Sequence, residues 1–162
     1  MKQLISLAFF FLISFVTGYA QQNSALLGHW KNAGKNSSVT FLIEANGKGA
    51  RLVESTNSVT DKCNCISSMK FPFSWFAKHD TLFLMYDIEK ASFNASVSAK
   101  PGVAASDNEI SDAKSFCHTP VQFVFMGEKA EYEKAPNQRA RFSIAGNNLM
   151  FGRYQYIKEQ TP

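Results

Sequence analysis

The chain has 162 residues, of which 45% are hydrophobic, and a formal net charge of +4 at pH 7. This length suits one domain with its own core, and the dispersed charges, without a basic cluster, argue against nucleic acid as a partner. The 15 Phe, two Trp and five Tyr favour β-sheet, because aromatic side chains suit pleated, half-buried surfaces.

The first segment, residues 1–20, has the layout of a cleavable secretory signal. Lys2 gives a basic start, residues 4–16 form an uncharged apolar run, and Gly18-Tyr19-Ala20 gives a small-x-small end. A helix over that run would span about 20 Å, which is short of the roughly 30 Å bilayer core and argues against a retained anchor. We therefore expect a mature domain over residues 21–162, secreted or periplasmic, without stable membrane insertion.

The mature chain predicts short strands that follow one another as hairpins. Asn46-Gly47 between two alternating apolar runs is a strong hairpin signal. Pro72 has no N–H for a neighbouring strand, so its strand should lie at a sheet edge or begin near that point. The expected strands cover residues 26–31, 38–43, 49–54, 71–76, 81–87, 91–98 and 116–126, and a last hairpin covers 140–158 and turns at Gly146-Asn147-Asn148.

The polar segments between these strands are expected to be loops, and 128–138 is either a loop or one helical turn. No stretch of a dozen residues shows a clear 3.6-residue repeat. The acidic group Asp107, Glu109 and Asp112 lacks the ligands of a calcium site, so residues 99–114 are interpreted as a solvated loop. The predicted fold class is all-β, an antiparallel up-and-down meander that forms a barrel or a half-barrel.

Several short motifs resemble those of the lipocalin-like domains of secreted bacterial proteins and, more distantly, the lipocalin and fatty-acid-binding group. They are Gly28-His29-Trp30, Asn46-Gly47, Trp75 before AKHD with Leu82 and Leu84 after it, and the closing run FSIAGNNLMFGRYQYIK. The resemblance implies a lipocalin-like barrel over residues 21–162. It also implies that Trp30 plugs one end, beneath an arginine from a late strand, with Arg153 the first choice and Arg141 the second, in a cation–π contact.

The three cysteines of an exported chain predict one disulfide. Cys63 and Cys65 are too close in sequence to pair without strain, so we expect Cys63 or Cys65 to pair with Cys117. The closed loop would stabilise the fold by roughly 4 kcal/mol at most. A zinc site built from the same cysteines and His118 is the alternative, but Cys-x-Cys is tighter than the usual ligand spacing. We expect no metal and no cofactor.

No catalytic motif is present: His79-Asp80 is explained by a turn, and no nucleophile elbow occurs. We therefore expect a non-catalytic, secreted protein that binds a small apolar or amphipathic ligand. A core packed solid by the same side chains, and an exported protein–protein interaction module (an inhibitor or an envelope-assembly subunit), remain as alternatives. The candidate pocket wall consists of Phe41, Phe73, Trp75, Leu84, Phe123, Phe125 and Phe151.

Overall fold

A computed structural model describes residues 24–159, so the predicted signal over residues 1–20 lies outside the described part. The strands are β1 (Gly28–Ala33), β2 (Ser37–Ile43), β3 (Lys48–Ser58), β4 (Cys63–Lys78), β5 (Thr81–Tyr86), β6 (Ser92–Ala99), β7 (Asn137–Ala145), β8 (Asn148–Phe151) and β9 (Tyr154–Lys158). The helix α1 covers Asp107–Lys134, and short 3-10 turns cover Ser24–Leu26 and Ile88–Lys90.

Eight of these strands close into an antiparallel barrel. The sheet order is β3-β2-β1-β9-β8-β7-β5-β4, and β4 pairs back with β3 along most of its length. Closure lets every barrel strand pair on both sides. The all-β prediction is confirmed, and the closed barrel is consistent with a lipocalin-like barrel. The ninth strand, β6, lies outside the closure and pairs with the first half of β4.

Pro72 shows how the long strand β4 serves two partners on the same side. The pairing with β6 ends at Lys70, and the pairing with β5 begins at Phe73. Pro72 lies between these two ladders, where a missing N–H costs no hydrogen bond, and its carbonyl accepts from the Asp87 N–H at 2.8 Å. The expectation of an edge strand is therefore wrong, because β4 is central and begins at Cys63.

Tight turns connect the hairpins, and residues in the left-handed region allow four of them, including Gly146 with φ 58° between β7 and β8. Gly47 has φ 73° in the predicted β2–β3 turn, and His79 has φ 55° between β4 and β5. Gly152 has φ 59° in a turn that the prediction missed. The predicted hairpin over 140–158 therefore contains three strands, because its second arm reverses at Gly152 and splits into β8 and β9.

Helix α1 is the largest departure from prediction. The expected strand over 116–126 is wrong, and the expected loops on either side are partly wrong, because all of 107–134 is helical. A capping box starts the helix: the Ser106 hydroxyl accepts from the Glu109 N–H, and the Glu109 carboxylate accepts from the Ser106 N–H at 2.9 Å. Of the acidic residues expected in a loop, Asp107 and Glu109 lie in the first turn, where negative charge interacts favourably with the helix dipole.

Helix α1 is fixed against β4 and β6 by packing and by a disulfide. Ala113, Cys117, Phe125 and Tyr132 form its buried face, and Cys117 is bonded to Cys65. The prediction of Cys63 or Cys65 with Cys117 is thereby resolved, and Cys63 is a free, buried thiol. Pro120 removes one helical hydrogen-bond donor. The packing and the disulfide hold the helix in place despite this loss.

One end of the barrel, which we call the closed end, is packed around Trp30. Its indole N–H donates to the Leu26 carbonyl at 2.6 Å, and both side chains are fully buried. Gly28 precedes it with φ 122°, and a Cβ there would lie 3.0 Å from Cε of Lys158. The Gly-x-Trp motif therefore provides a strained backbone position and a close approach that a glycine accommodates best.

Candidate functional site at the mouth of the barrel

The opposite end, which we call the mouth, contains a cavity of about 490 Å³. It lies where β1 and β5 end and where β2, β7 and β9 begin. Sites for small molecules commonly enclose about 300–1,000 Å³, so the volume suits a ligand. The lining residues are Asn32, Val39, Phe41, Arg51, Tyr86, Tyr132, Gln138, Ala140, Phe151, Gly152, Arg153, Tyr154 and Tyr156.

The predicted pocket wall is only partly the wall of this cavity. Phe41 and Phe151 line it, and their rings lie 5.6 Å apart. The other predicted residues do not line it. Three of them are buried in the core: Phe73, Trp75 and Leu84. Phe125 is buried on the inner face of α1, and Phe123 is 81% exposed on the same helix. Phe123 was assigned from a strand alternation, and that assignment is wrong because the segment is helical and turns this side chain to solvent.

Tyrosines dominate the cavity. The sequence has five, and the four within residues 24–159 all line it. The Tyr86 ring lies 4.3 Å from that of Tyr132, and the Tyr156 ring lies 5.2 Å from that of Phe41. A tyrosine offers a ligand both an apolar ring and a hydroxyl that donates or accepts, so this wall suits a molecule with apolar and polar parts.

The Tyr86 hydroxyl is the unusual polar group of the cavity. Its side chain is buried, and among the described residues its oxygen makes no hydrogen bond of standard geometry, although the neighbouring Tyr132 hydroxyl contributes to its raised pKa. Burial raises the pKa of this phenol well above its ordinary value, so the group stays neutral and keeps its proton. An unpaired buried hydroxyl costs about 1–3 kcal/mol. A ligand acceptor placed beside it would remove that cost.

Arg51 carries the charge at the base of the cavity. Its guanidinium donates to the Glu128 carboxylate at 2.9 Å and lies 5.8 Å from the centre of the Tyr132 ring. Burial alone would lower the Arg51 pKa, but Tyr132 and the Glu128 carboxylate outweigh burial and raise it. The side chain is 17% exposed, so a ligand meets a fixed, mostly buried cation that is already neutralised by one carboxylate.

The second predicted structural residue, Arg153, is at the mouth and not at the closed end. It lies beside Gly152 in the β8–β9 turn and donates to the Tyr154 hydroxyl at 3.1 Å. Lys158 takes the predicted role instead, with its ammonium 5.2 Å from the centre of the Trp30 ring. Arg141, the other choice, is exposed and lies 3.5 Å from Asp80. Trp30, which was predicted to plug one end of the barrel, is fully buried.

A second hollow, of about 680 Å³, opens beside the β1–β2 turn. Its lining is rich in serine and asparagine, includes Lys35 and Glu54, and has no aromatic side chain. Inside it, the hydroxyls of Ser55 and Ser67 bond to each other at 2.8 Å. With no aromatic side chain in its lining, this groove is a poorer ligand site than the mouth.

The sequence analysis missed Arg51, Tyr86, Tyr132 and Tyr156. Arg51 had a detectable signal, because strand alternation places it on the same face as Val53 and that face points inward. For α1 the signal was the run Ser106-Asp107-Asn108-Glu109, which matches a capping box. No local pattern brings Tyr132, on the helix, next to Tyr86, on β5.

Within residues 24–159, no group of three or more His, Cys, Asp or Glu side chains is placed to hold a metal ion. The same part of the chain contains no helix that is long and apolar enough to cross a membrane. No protein-family model, curated protein or solved structure matches the chain.

Proposed function

We propose that this protein is an exported, non-catalytic, lipocalin-like carrier that binds a small amphipathic ligand in the cavity at the mouth. The observation that carries the proposal is that Tyr86 belongs to the cavity lining, while its buried hydroxyl makes no hydrogen bond of standard geometry among the described residues. Buried polar groups are nearly always paired, and an exception needs an explanation. A bound acceptor group provides one.

The lining residues support an amphipathic ligand over a purely apolar one. Phe41 and Phe151 offer apolar rings, whereas Arg51 and Tyr86 are polar residues of the same lining. The polar head of the ligand would accept from Tyr86, and its apolar body would contact the phenylalanines. Arg153 adds a cation at the rim, which favours a head with negative charge.

Export is supported by the cysteines and by the start of the sequence. A disulfide between Cys65 and Cys117 is typical of oxidising compartments, and residues 1–20 have the layout of a secretory signal. A secreted or periplasmic location follows from these two features together. Sequencing the N-terminus of the protein purified from its own exported fraction would test the expected start at Gln21.

A titration with anilinonaphthalene sulfonate, an amphipathic anion, tests the binding proposal. The dye should bind one site per chain, and palmitate should displace it. Tyr86→Phe should weaken binding of the displacing ligand about tenfold, because one hydrogen bond to a charged acceptor is lost. Met150→Leu is the control, since Met150 is exposed on β8 and does not line the cavity, and it should leave affinity unchanged.

Two sets of aromatic residues report where the ligand binds. Trp30 and Trp75 lie away from the cavity lining, whereas the described tyrosines all belong to it. Palmitate does not absorb in the near ultraviolet. Its binding at the mouth should change the near-ultraviolet circular dichroism of tyrosine and leave tryptophan fluorescence unchanged. Equal palmitate affinity of the parent and Tyr86→Phe proteins, or a spectral change confined to tryptophan, would contradict this site.

The alternative role as a protein–protein interaction module draws on a different observation. Several apolar side chains of α1 are exposed to solvent, away from the mouth cavity. They do not argue against a carrier, because the two surfaces share no residue.

A further inference from the structure

Helix α1 has apolar residues on its outer face as well as on its buried face. Phe116 is 64% exposed, Phe123 81% and Met126 54%. Between Lys114 and Glu128 the sequence contains no Asp, Glu, Lys or Arg. An exposed, uncharged helical surface of this kind marks an interaction site in soluble proteins. It also explains why the helix was missed, since apolar residues on both faces erase the 3.6-residue repeat.

The exposed residues form a continuous seam, which we call the α1 stripe: Phe116, Thr119, Phe123, Met126 and Ala130. Their spacing alternates between three and four residues. This is the spacing at which two helices pack side by side along a seam. All but Ala130, which is half-buried, are exposed in the isolated chain.

We propose that the α1 stripe is the interface between two copies of this chain, whose helices pack antiparallel about a twofold axis at Phe123. A twofold contact uses the same patch on both copies, so the stripe must complement its own reversed order. When it is reversed about Phe123, Phe116 faces Ala130 and Thr119 faces Met126. Large side chains thus meet small ones, and only the central Phe123 meets itself.

The charges at the two ends of the stripe fit the same arrangement. Asp112 precedes Phe116 by one turn and Lys134 follows Ala130 by one turn, so both lie on the outer face and both are exposed. In the antiparallel pair, Asp112 of one copy faces Lys134 of the other, and symmetry makes this contact twice. A parallel pair would place like charges together at each end.

The size of the surface predicts a weak dimer. Residues 112–134 span about 33 Å along the helix, and one helix pair buries less than the roughly 1,600 Å² of a standard interface. We therefore expect a monomer–dimer equilibrium in the micromolar range. The proposal does not depend on ligand binding at the mouth, so the failure of either leaves the other intact.

Sedimentation velocity of the mature chain over a range of concentrations tests the dimer. Phe123→Glu should weaken dimerisation at least about 30-fold, because it places two like charges on the axis in the position of an interface anchor. Ile157→Glu is the matched control: Ile157 is 58% exposed on β9, outside the stripe, and its substitution should leave the equilibrium unchanged.

A charge exchange tests the antiparallel register. Each single variant, Asp112→Lys or Lys134→Asp, should weaken the dimer several-fold because like charges then face each other. The double variant should restore the dimer, because both contacts between positions 112 and 134 again join opposite charges. Circular dichroism before each run checks that every variant is folded.

Three results would overturn the proposal. They are a wild-type protein that stays monomeric up to millimolar concentration, a dimer that Phe123→Glu does not weaken, and a double charge variant that does not recover. Vesicles of phosphatidylcholine and phosphatidylglycerol serve as a parallel sample. A monomer that cosediments with these vesicles through Phe123 would assign the stripe to a lipid surface in place of a second copy.

Discussion

The two ends of the barrel satisfy their buried polar groups differently. At the closed end both indole N–H groups have carbonyl acceptors: Trp30 donates to Leu26, and Trp75 donates to the β2–β3 turn at Glu44 and Lys48. At the mouth, the buried Tyr86 hydroxyl has no partner among the described residues, and a cavity of about 490 Å³ lies beside it. One end is complete in the isolated chain, and the other is not.

This contrast separates residues that stabilise the fold from residues that are available for binding. Complete packing and paired donors stabilise the native state. A cavity with an unpaired hydroxyl destabilises it, and such a feature is expected where a ligand completes the site. Removing the Trp30 indole should therefore lower the free energy of unfolding, whereas removing the Tyr86 hydroxyl should raise it.

The largest effect is expected at the closed end. Trp30→Ala should lower the free energy of unfolding by about 3–5 kcal/mol, because it removes a fully buried indole and leaves a void. Urea denaturation followed by far-ultraviolet circular dichroism measures this loss. Tyr154→Ala, at the half-exposed rim of the mouth, should cost less than about 1 kcal/mol. Similar losses for the two variants would contradict the contrast.

The disulfide should affect the mouth more than the closed end. Cys65→Ala with Cys117→Ala should lower stability by at most roughly 4 kcal/mol through loop entropy, and it should release α1, which carries Tyr132 to the cavity. Hydrogen exchange should rise first in α1 and stay slow in β1 and β2. Cys63→Ala, which deletes a free buried thiol, is the control and should leave α1 protected.

Tyr86→Phe should have a smaller effect of opposite sign. Removing a buried hydroxyl that has no partner should raise the free energy of unfolding of the unliganded protein by about 1 kcal/mol, while it weakens ligand binding. Denaturant titration without ligand gives the first quantity. If the variant is destabilised, then the hydroxyl is paired in the native protein and the main support for the site is lost.

The smallest effect concerns the start of α1. The hydrogen bond from Lys62 and those from Ser106 lower the pKa of Glu109 from 4.5 to about 2. A carboxylate with a lowered pKa stabilises the fold above its unfolded-state pKa, and this contribution disappears as the pH falls through the folded-state value. Glu109→Gln should therefore be slightly less stable than the parent at pH 7.

The stability difference between parent and Glu109→Gln should shrink between pH 4.5 and about 2 and vanish below that interval. Thermal unfolding at several pH values measures it. A stability difference that stays constant with pH would mean that the hydrogen bonds from Lys62 and Ser106 to the Glu109 carboxylate do not form.

Local patterns predicted much of the barrel. The alternation around Asn46-Gly47 gave the β2–β3 hairpin, and Trp30 was expected to be a buried plug. The same reasoning failed for residues 116–126, because β-branched and aromatic residues there suggested a strand while the helix buries one set of apolar side chains and exposes another. It also placed Arg153 on a late strand, because the turn at Gly152 was not recognised.

The sequence by itself determined what depends on neighbours a few residues apart. Alternation fixed the inward faces of the early strands, Asn46-Gly47 fixed a turn, and the spacing of the cysteines limited the disulfide to two choices. Tertiary structure alone decided that Cys65 and not Cys63 pairs with Cys117, that Lys158 covers Trp30, and that Tyr86, Tyr132 and Arg51 meet at one cavity. These contacts join residues far apart in sequence, so barrel closure and the position of α1 had to be known first.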